Sequence, residues 1–200
     1  MSMEHKGFIF DSDLYKILEK EIIKAVKKND NESLYNFINE HLDECSSPYS
    51  EEELDEGWQD ELESEDTQEL CDFALTYCYD ITDDQGLSYS WDALLCVMKQ
   101  LNWPLDVDCY VLGNNVSYGD FVIDPGGMGA GFVEKKDIKK MNSELLKNKE
   151  KFIEKIKTVD FKKEKALYEY NENDLKEAYE TLLSLYSSAL DEKKGLFFTF

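Results

Sequence analysis

Four glycines lie within six residues of each other in the segment VIDPGGMGAGFVEKKD, which runs from Val122 to Asp137. Glycine-rich turns between a strand and a helix can bind phosphate groups through backbone N–H groups. A G-x-G-x-x-G frame counted from Gly127 ends on Phe132, a frame counted from Gly129 ends on Glu134, and no G-x-x-x-x-G-K-[ST] sequence occurs. The segment therefore predicts a turn at its Pro-Gly pair and close backbone packing by the other glycines. No cofactor is expected.

The cysteines and histidines do not form a metal-binding or nucleophilic pattern. The five cysteines include no C-x-x-C pair, and the two histidines, His5 and His41, are not placed near a cysteine pair in the sequence. Because a zinc site needs three or four such ligands, we expect reduced cysteines in the core and no bound metal. His41 lies on the apolar stripe of a helical pattern, which predicts a partly buried, hydrogen-bonded side chain rather than a catalytic one.

No catalytic residues are predicted. The sequence has no G-x-S-x-G motif, and with 44 acidic residues a pair of carboxylates at any chosen spacing arises by chance. Whether the chain is an enzyme stays open at this stage, and the residues favour a non-enzymatic role.

Charge is more informative than any motif. The chain has 44 acidic residues, 22 lysines and no arginine, which argues against nucleic acid as a partner. No lysine occurs between Lys28 and Lys99, and the range Asp30–Asp92 contains 21 acidic residues. Such a concentrated negative field attracts basic surfaces. We therefore expect a basic protein partner, and the oligomeric state stays open.

The acidic segment, residues 45–66, reads CSSPYSEEELDEGWQDELESED and is a possible insertion or exposed helix. Leu54, Trp58 and Leu62 are spaced i, i+4, i+8, which predicts one narrow apolar helix face that docks through Trp58. Alone such a helix would be marginal, and docking of Trp58 would stabilise it. The segment is either a solvated acidic helix or loop, or a surface that meets a basic partner. If a partner binds here, the carboxylates would steer it and Trp58 would anchor it. The candidate partner-binding residues are Glu51, Glu52, Glu53, Asp55, Glu56, Trp58, Asp60, Glu61 and Glu63.

Apolar periodicity predicts a single α+β domain over residues 1–200, with helices packed on a small mixed or antiparallel sheet. Strands are predicted at residues 8–10, 109–113, 120–123, 132–133 and 196–200, and the second and third of these would form a hairpin-like pair. Helices are predicted after Ser12, after Asn31, from Thr67, from Tyr89 to Pro104, over Ile138–Ile156 and over Leu175–Ala189. No apolar run suits a membrane span and no signal pattern opens the chain, so a cytoplasmic protein without a membrane partner is expected.

The second half of the chain has a recognisable order of motifs. YSWDALLCVMKQL (Tyr89–Leu101) is followed by VLGN, then by MGAGFVEKKDIKKMNSELLKN, and AYETLLSLYSSALDEKKGLFFTF closes the chain. Over about residues 80–200 this order resembles the YfbM-like family of small bacterial proteins of unknown function. The resemblance implies an α+β fold and no established reaction. The family's histidine and glycine after the tryptophan are replaced by Asp92 and Ala93, and the acidic segment has no counterpart.

Three hypotheses for function follow. The first is a non-enzymatic acidic interaction protein, in particular an immunity protein that binds and neutralises a basic bacterial toxin; some proteins of this general look resemble such immunity proteins. The second is a YfbM-like small-molecule-binding or enzymatic domain. The third is an inhibitor whose carboxylates mimic DNA phosphates. The pocket of the second hypothesis would involve Trp91, Asp92, Tyr118, Asp124 and Gly127.

Overall fold

Helices and short strands alternate along the chain in the computed structural model, which describes residues 3–28, 31–125, 129–164, 166–167 and 170–200. The elements are β1 (Lys6–Phe10), α1 (Ser12–Lys28), α2 (Glu32–Glu40), α3 (Thr67–Leu75), α4 (Trp91–Met98), α5 (Asp108–Val111), β2 (Ser117–Tyr118), β3 (Phe121–Val122), β4 (Ala130–Val133), α6 (Lys135–Ile156), α7 (Glu172–Glu192) and β5 (Gly195–Thr199). Single 3-10 turns lie at Leu42–Glu44, Trp58–Glu61 and Thr76–Cys78. The fold is α+β, as predicted.

The last strand, β5, is the centre of an antiparallel sheet with the order β1-β5-β4. Phe197 lies between Phe8 and Phe132 in the register of the sheet. The next residue, Phe198, lies between Gly7 and Gly131. Because successive side chains of a strand point to opposite faces, three phenylalanines line up on one face and Phe198 stands between two glycines on the other.

Each face of this sheet is covered by its own core. Phe8, Phe132 and Phe197 pack with buried residues of α1, α2 and α3. Leu196 and Phe198 pack with buried residues of α4, α6 and α7. The molecule therefore has three layers, in which a small antiparallel sheet separates two groups of helices.

The structure corrects the predicted strand at residues 109–113. This segment forms α5, in which the consecutive residues Tyr110 and Val111 are both buried. A strand with one buried face would expose one of two neighbours, whereas a helical turn can bury both. The predicted pairing of residues 109–113 with 120–123 is therefore wrong as well. β3 pairs with β2, which lies outside the predicted strands, through a turn in which Gly119 has a φ of 70°.

The glycine-rich segment passes close to other backbone, as predicted. A Cβ atom on Gly131 would lie 1.7 Å from the carbonyl oxygen of Leu112, and a Cβ on Gly113 would lie 2.6 Å from the carbonyl carbon of Gly131. This close approach allows Asn114 and Phe132 to exchange backbone hydrogen bonds of 2.9 Å. Gly126, Gly127 and Met128, and with them the predicted Pro-Gly turn, lie outside the described residues.

His5 joins three parts of the chain through a fully buried imidazole. Its Nε2 lies 2.6 Å from the carbonyl oxygen of Val111, and its Nδ1 lies 3.1 Å from the backbone nitrogen of Leu87. The Leu87 N–H can only donate, so Nδ1 accepts and the ring is neutral with its proton on Nε2. Burial lowers the pKa of His5 to about 4, below its ordinary value of 6.5.

We expect acid to destabilise the fold through His5. The unfolded chain takes up this proton below pH 6.5 and the folded chain only near pH 4. The contribution of His5 to the free energy of unfolding is therefore complete above pH 6.5, and about 3 kcal/mol of it is lost as the pH falls from 6.5 to 4. The free energy of unfolding, measured by urea titration at pH 7, 6 and 5, should fall more steeply in the wild type than in His5→Gln. A His41→Gln control that flattens the pH dependence equally would contradict this assignment.

We expect the central strand to tolerate truncation of its buried rings poorly. Phe197→Ala removes a fully buried ring in contact with those of Phe8, Phe10 and Phe132. It should lower the free energy of unfolding by about 3–5 kcal/mol, measured in urea at pH 7. Leu146→Ala, at a residue of α6 that is 56 % exposed, is the control and should change it by about 0.5 kcal/mol or less.

Candidate functional site

The acidic segment is folded onto the body of the protein, and Trp58 holds it there. The indole is buried, its Nε1 donates to Asn39 Oδ1 at 2.9 Å, and its ring contacts those of Tyr35 and Phe73. Trp58 is therefore docked, but the segment is not a helix, because only residues 58–61 form a 3-10 turn. The proposed role of Trp58 as an anchor for a partner is also corrected, since its side chain is enclosed in the chain's own core.

The eight carboxylate residues predicted to bind a partner are all exposed. Three of them are engaged within the chain: Glu51 lies 3.6 Å from the ammonium of Lys6, Asp55 accepts a 2.6 Å hydrogen bond from the backbone N–H of Gly57, and Glu61 accepts one of 2.6 Å from the hydroxyl of Ser47. The other five are Glu52, Glu53, Glu56, Asp60 and Glu63. The structure thus places these charges on the surface of a docked loop.

One buried carboxylate, Glu69, organises the end of this loop. It accepts five hydrogen bonds, from the backbone N–H groups of Glu63, Ser64 and Glu65, from the Ser64 hydroxyl and from the Tyr49 hydroxyl, at 2.6–3.0 Å. Burial of the carboxyl opposes ionisation, but the backbone and tyrosine hydrogen bonds outweigh it and lower the pKa of Glu69 to about 2. In the sequence Glu69 is one of many glutamates, and no local pattern distinguishes it.

One concave site is an acidic cleft with a cavity of about 550 Å³. Its lining includes seven carboxylate residues and a single lysine, with Thr76, Tyr77 and Cys78 among its other lining residues. The charged lining residues are Asp11, Asp43, Glu44, Glu53, Asp80, Asp83, Glu192 and Lys194. Only Glu53 belongs to the set predicted from the sequence, so most of this site was missed.

The missed residues reach the cleft from distant parts of the chain. Asp11 caps α1, because its Oδ1 accepts from the backbone N–H groups of Asp13 and Leu14 at 2.9 and 3.1 Å. Asp80 closes a turn by accepting from the N–H and the hydroxyl of Thr82 at 2.9 and 2.7 Å. Both carboxylates are therefore fixed by local hydrogen bonds.

The negative charge of the cleft is largely uncompensated. Glu44 lies 2.8 Å from His41 Nδ1, and Glu192 lies 3.6 Å from the ammonium of Lys194. Among the described residues, none of the remaining five carboxylates of the cleft forms an ion pair. A cationic surface entering the cleft would therefore meet charges that have no cation of their own.

The alternative pocket predicted from the sequence is not assembled. Trp91 packs against the core of α6 and α7, and Asp92 accepts a hydrogen bond from the backbone N–H of Leu167. Tyr118 packs against the opposite core, and the backbone N–H of Asp124 donates to Gln68 Oε1 at 3.3 Å. These residues lie on two sides of the sheet, and Gly127 lies outside the described residues.

All five cysteine thiols are free, and most of them are buried, namely Cys45, Cys71 and Cys78. Burial raises the pKa of the Cys45 thiol to about 12, which disfavours its nucleophilic form. Within the described ranges, no three His, Cys, Asp or Glu side chains are grouped so as to hold a metal ion. No helix among the residues that the structure describes is long and apolar enough to cross a membrane.

Comparisons of the chain with protein-family models, with curated proteins and with solved structures found no match. The proposed function therefore rests on the fold and on the acidic cleft.

We expect Glu69→Gln to loosen the acidic loop. A neutral amide accepts hydrogen bonds more weakly than a carboxylate, so this variant should lose on the order of 2 kcal/mol of unfolding free energy at pH 7. The contribution of the ionised carboxylate is complete above pH 4.5 and is lost as the pH falls towards 2. Urea unfolding at pH 7 and at pH 3 should therefore show a smaller difference between wild type and variant at pH 3. Glu63→Gln is the control, and an equal effect there would contradict the role of Glu69.

Proposed function

We propose that this chain is a non-enzymatic interaction protein that binds a basic protein partner. The observation that carries the proposal is the acidic cleft, in which seven carboxylates and one lysine line a cavity of about 550 Å³. Nearby, the exposed carboxylates of the acidic segment extend the same charge over the surface. Charges of one sign around a concave site raise the local concentration of an oppositely charged partner and speed its association.

Preorganisation supports the same proposal. The carboxylate of Asp11 is fixed as a helix cap, that of Asp80 closes a turn, and Trp58 and Glu69 hold the acidic loop against the core. A surface that is already ordered loses less conformational entropy when a partner binds. The acidic surface is thus suited to recognition by shape as well as by charge.

Within this class, we propose an immunity protein that neutralises a basic bacterial toxin. A toxin that acts on nucleic acid needs a basic surface, and an arginine-free chain with 44 acidic residues is complementary to such a surface. The resemblance to the YfbM-like family, which supports the second hypothesis, remains a proposal and implies an α+β fold without a reaction.

The first test of this proposal is to capture the partner. The tagged chain, incubated at low salt with extract of its source cell, should retain a basic protein, and the purified pair should bind at least tenfold more weakly at 200 mM than at 50 mM salt. Co-expression of the chain should restore growth to cells that express the captured protein. A captured protein that is neutral or acidic, or whose binding ignores salt, would overturn the proposal.

Charge substitutions then locate the interface. The triple variant Asp43→Asn, Glu44→Gln, Glu53→Gln removes three exposed carboxylates of the cleft and should weaken binding about tenfold. The matched control Glu150→Gln, Glu154→Gln, Glu177→Gln changes the net charge equally at exposed residues of α6 and α7 and should weaken binding less than twofold. Equal losses in the two variants would mean that net charge alone, and not the cleft, mediates binding. Displacement of the chain by duplex DNA would instead favour DNA mimicry.

A further inference from the structure

A second concave site lies beside the first helix, at the edge of the aromatic face of the sheet. It is a cavity of about 280 Å³ whose lining includes Phe10, Tyr15, Lys16, Glu19, Phe132 and Glu134. The three aromatic rings contact one another, with centroids 5.1–5.5 Å apart. They form a continuous aromatic wall beside charged and hydroxyl-bearing side chains.

A chain of hydrogen bonds with a defined direction starts at this wall. The Tyr118 hydroxyl donates to Glu19 Oε1 at 3.0 Å, because an ionised carboxylate can only accept. The Tyr15 hydroxyl lies 2.8 Å from that of Tyr118 and must therefore donate to it. Burial raises the pKa of both tyrosines, which keeps both hydroxyls protonated. Because both hydroxyl protons are already donated, the oxygen of Tyr15 and the second carboxylate oxygen of Glu19 can only accept further hydrogen bonds.

The charges around the cavity leave Glu19 without a cation. Lys16 lies 2.8 Å from Asp13, which also lies 3.1 Å from Lys135, and Glu134 lies 2.8 Å from Lys136, so these two lining charges pair with residues other than Glu19. No lysine or histidine of the described residues lies within ion-pair distance of Glu19. The cavity thus combines an uncompensated carboxylate, hydrogen-bond acceptors and an aromatic wall.

We infer that this cavity binds a small organic ammonium ion, with the cation between the Glu19 carboxylate and the wall of Phe10, Tyr15 and Phe132. The faces of aromatic rings attract cations, and an adjacent carboxylate adds a direct charge interaction. The volume of about 280 Å³ suits a ligand of few heavy atoms. This site shares no charged lining residue with the acidic cleft, and the inference does not depend on the proposed partner.

Choline and its uncharged carbon analogue, 3,3-dimethylbutan-1-ol, are suitable probes because they differ in charge and hardly in shape. Titration calorimetry on the full chain at low salt should show that choline binds at least tenfold more tightly than the alcohol. Amide chemical shifts of residues lining the cavity should change on adding choline. Equal affinity for the two probes, or no binding of choline at 10 mM, would overturn the inference.

Two substitutions on α1 test whether choline binds in this cavity. Glu19→Gln keeps the shape of the side chain and should weaken choline binding about tenfold without changing the weak binding of the alcohol. Glu21→Gln removes a carboxylate two residues away that does not line the cavity and pairs with Lys24, and it should change choline binding less than twofold. Circular dichroism and melting temperature show whether each variant is folded. Equal losses of choline affinity in the two folded variants would mean that choline binds outside this cavity, which would overturn the inference.

Discussion

The structure depends on one constraint, which is that the last strand of the chain must lie between two cores. β5 pairs with β1 and β4, and its alternating side chains enter opposite layers, with Phe197 in one and Leu196 and Phe198 in the other. Lys6 lies opposite Thr199 in this register, so the two ends of the chain meet in the same sheet. Because such contacts span nearly the whole sequence, neither core is complete until the chain has closed on itself.

The acidic segment packs with α2 and α3 on one face of that sheet. Twenty-one acidic residues without an intervening cation would repel one another in any compact state. The fold offsets this repulsion by burying apolar side chains such as Leu54 and Trp58, and by using some carboxylates as internal acceptors. Glu69 accepts from the acidic loop, and Asp66 caps α3 by accepting from the Glu69 N–H at 2.9 Å. Asp72 and Asp92 are buried acceptors as well. The exposed carboxylates form the surface on which the proposed function rests.

Periodicity was sufficient to predict the long helices, the terminal strand and the α+β class, because these elements each bury one regular stripe or face. It failed for α5, where Tyr110 and Val111 are buried side by side. It failed again for the acidic segment, in which the backbone N–H groups of residues 63–65 donate to the Glu69 side chain rather than to helical carbonyl groups. Propensity and spacing within a segment carry no information about such partners from outside it.

Composition predicted that the candidate site would be negatively charged, but it did not predict where in the fold the site would lie. The acidic cleft draws carboxylates from Asp11 to Glu192, and only the fold brings them together. A charge count over a window detects a charged stretch, whereas the cleft is formed by tertiary contacts between stretches. For this reason the sequence pointed to residues 51–63, of which the cleft contains one acidic member, Glu53.

The junction between β1 and α1 connects the two candidate sites. Ile9 and Asp11 line the acidic cleft, whereas Phe10 and Ser12 line the aromatic cavity, as expected for a strand end whose side chains alternate. The carboxylate of Asp11 also caps the helix that carries Tyr15 and Glu19 to the cavity. A substitution of Asp11 would therefore disturb both sites at once. Asp43, Glu44 and Glu53 belong to the cleft without this second role, and their substitution separates the charge of the cleft from the position of α1.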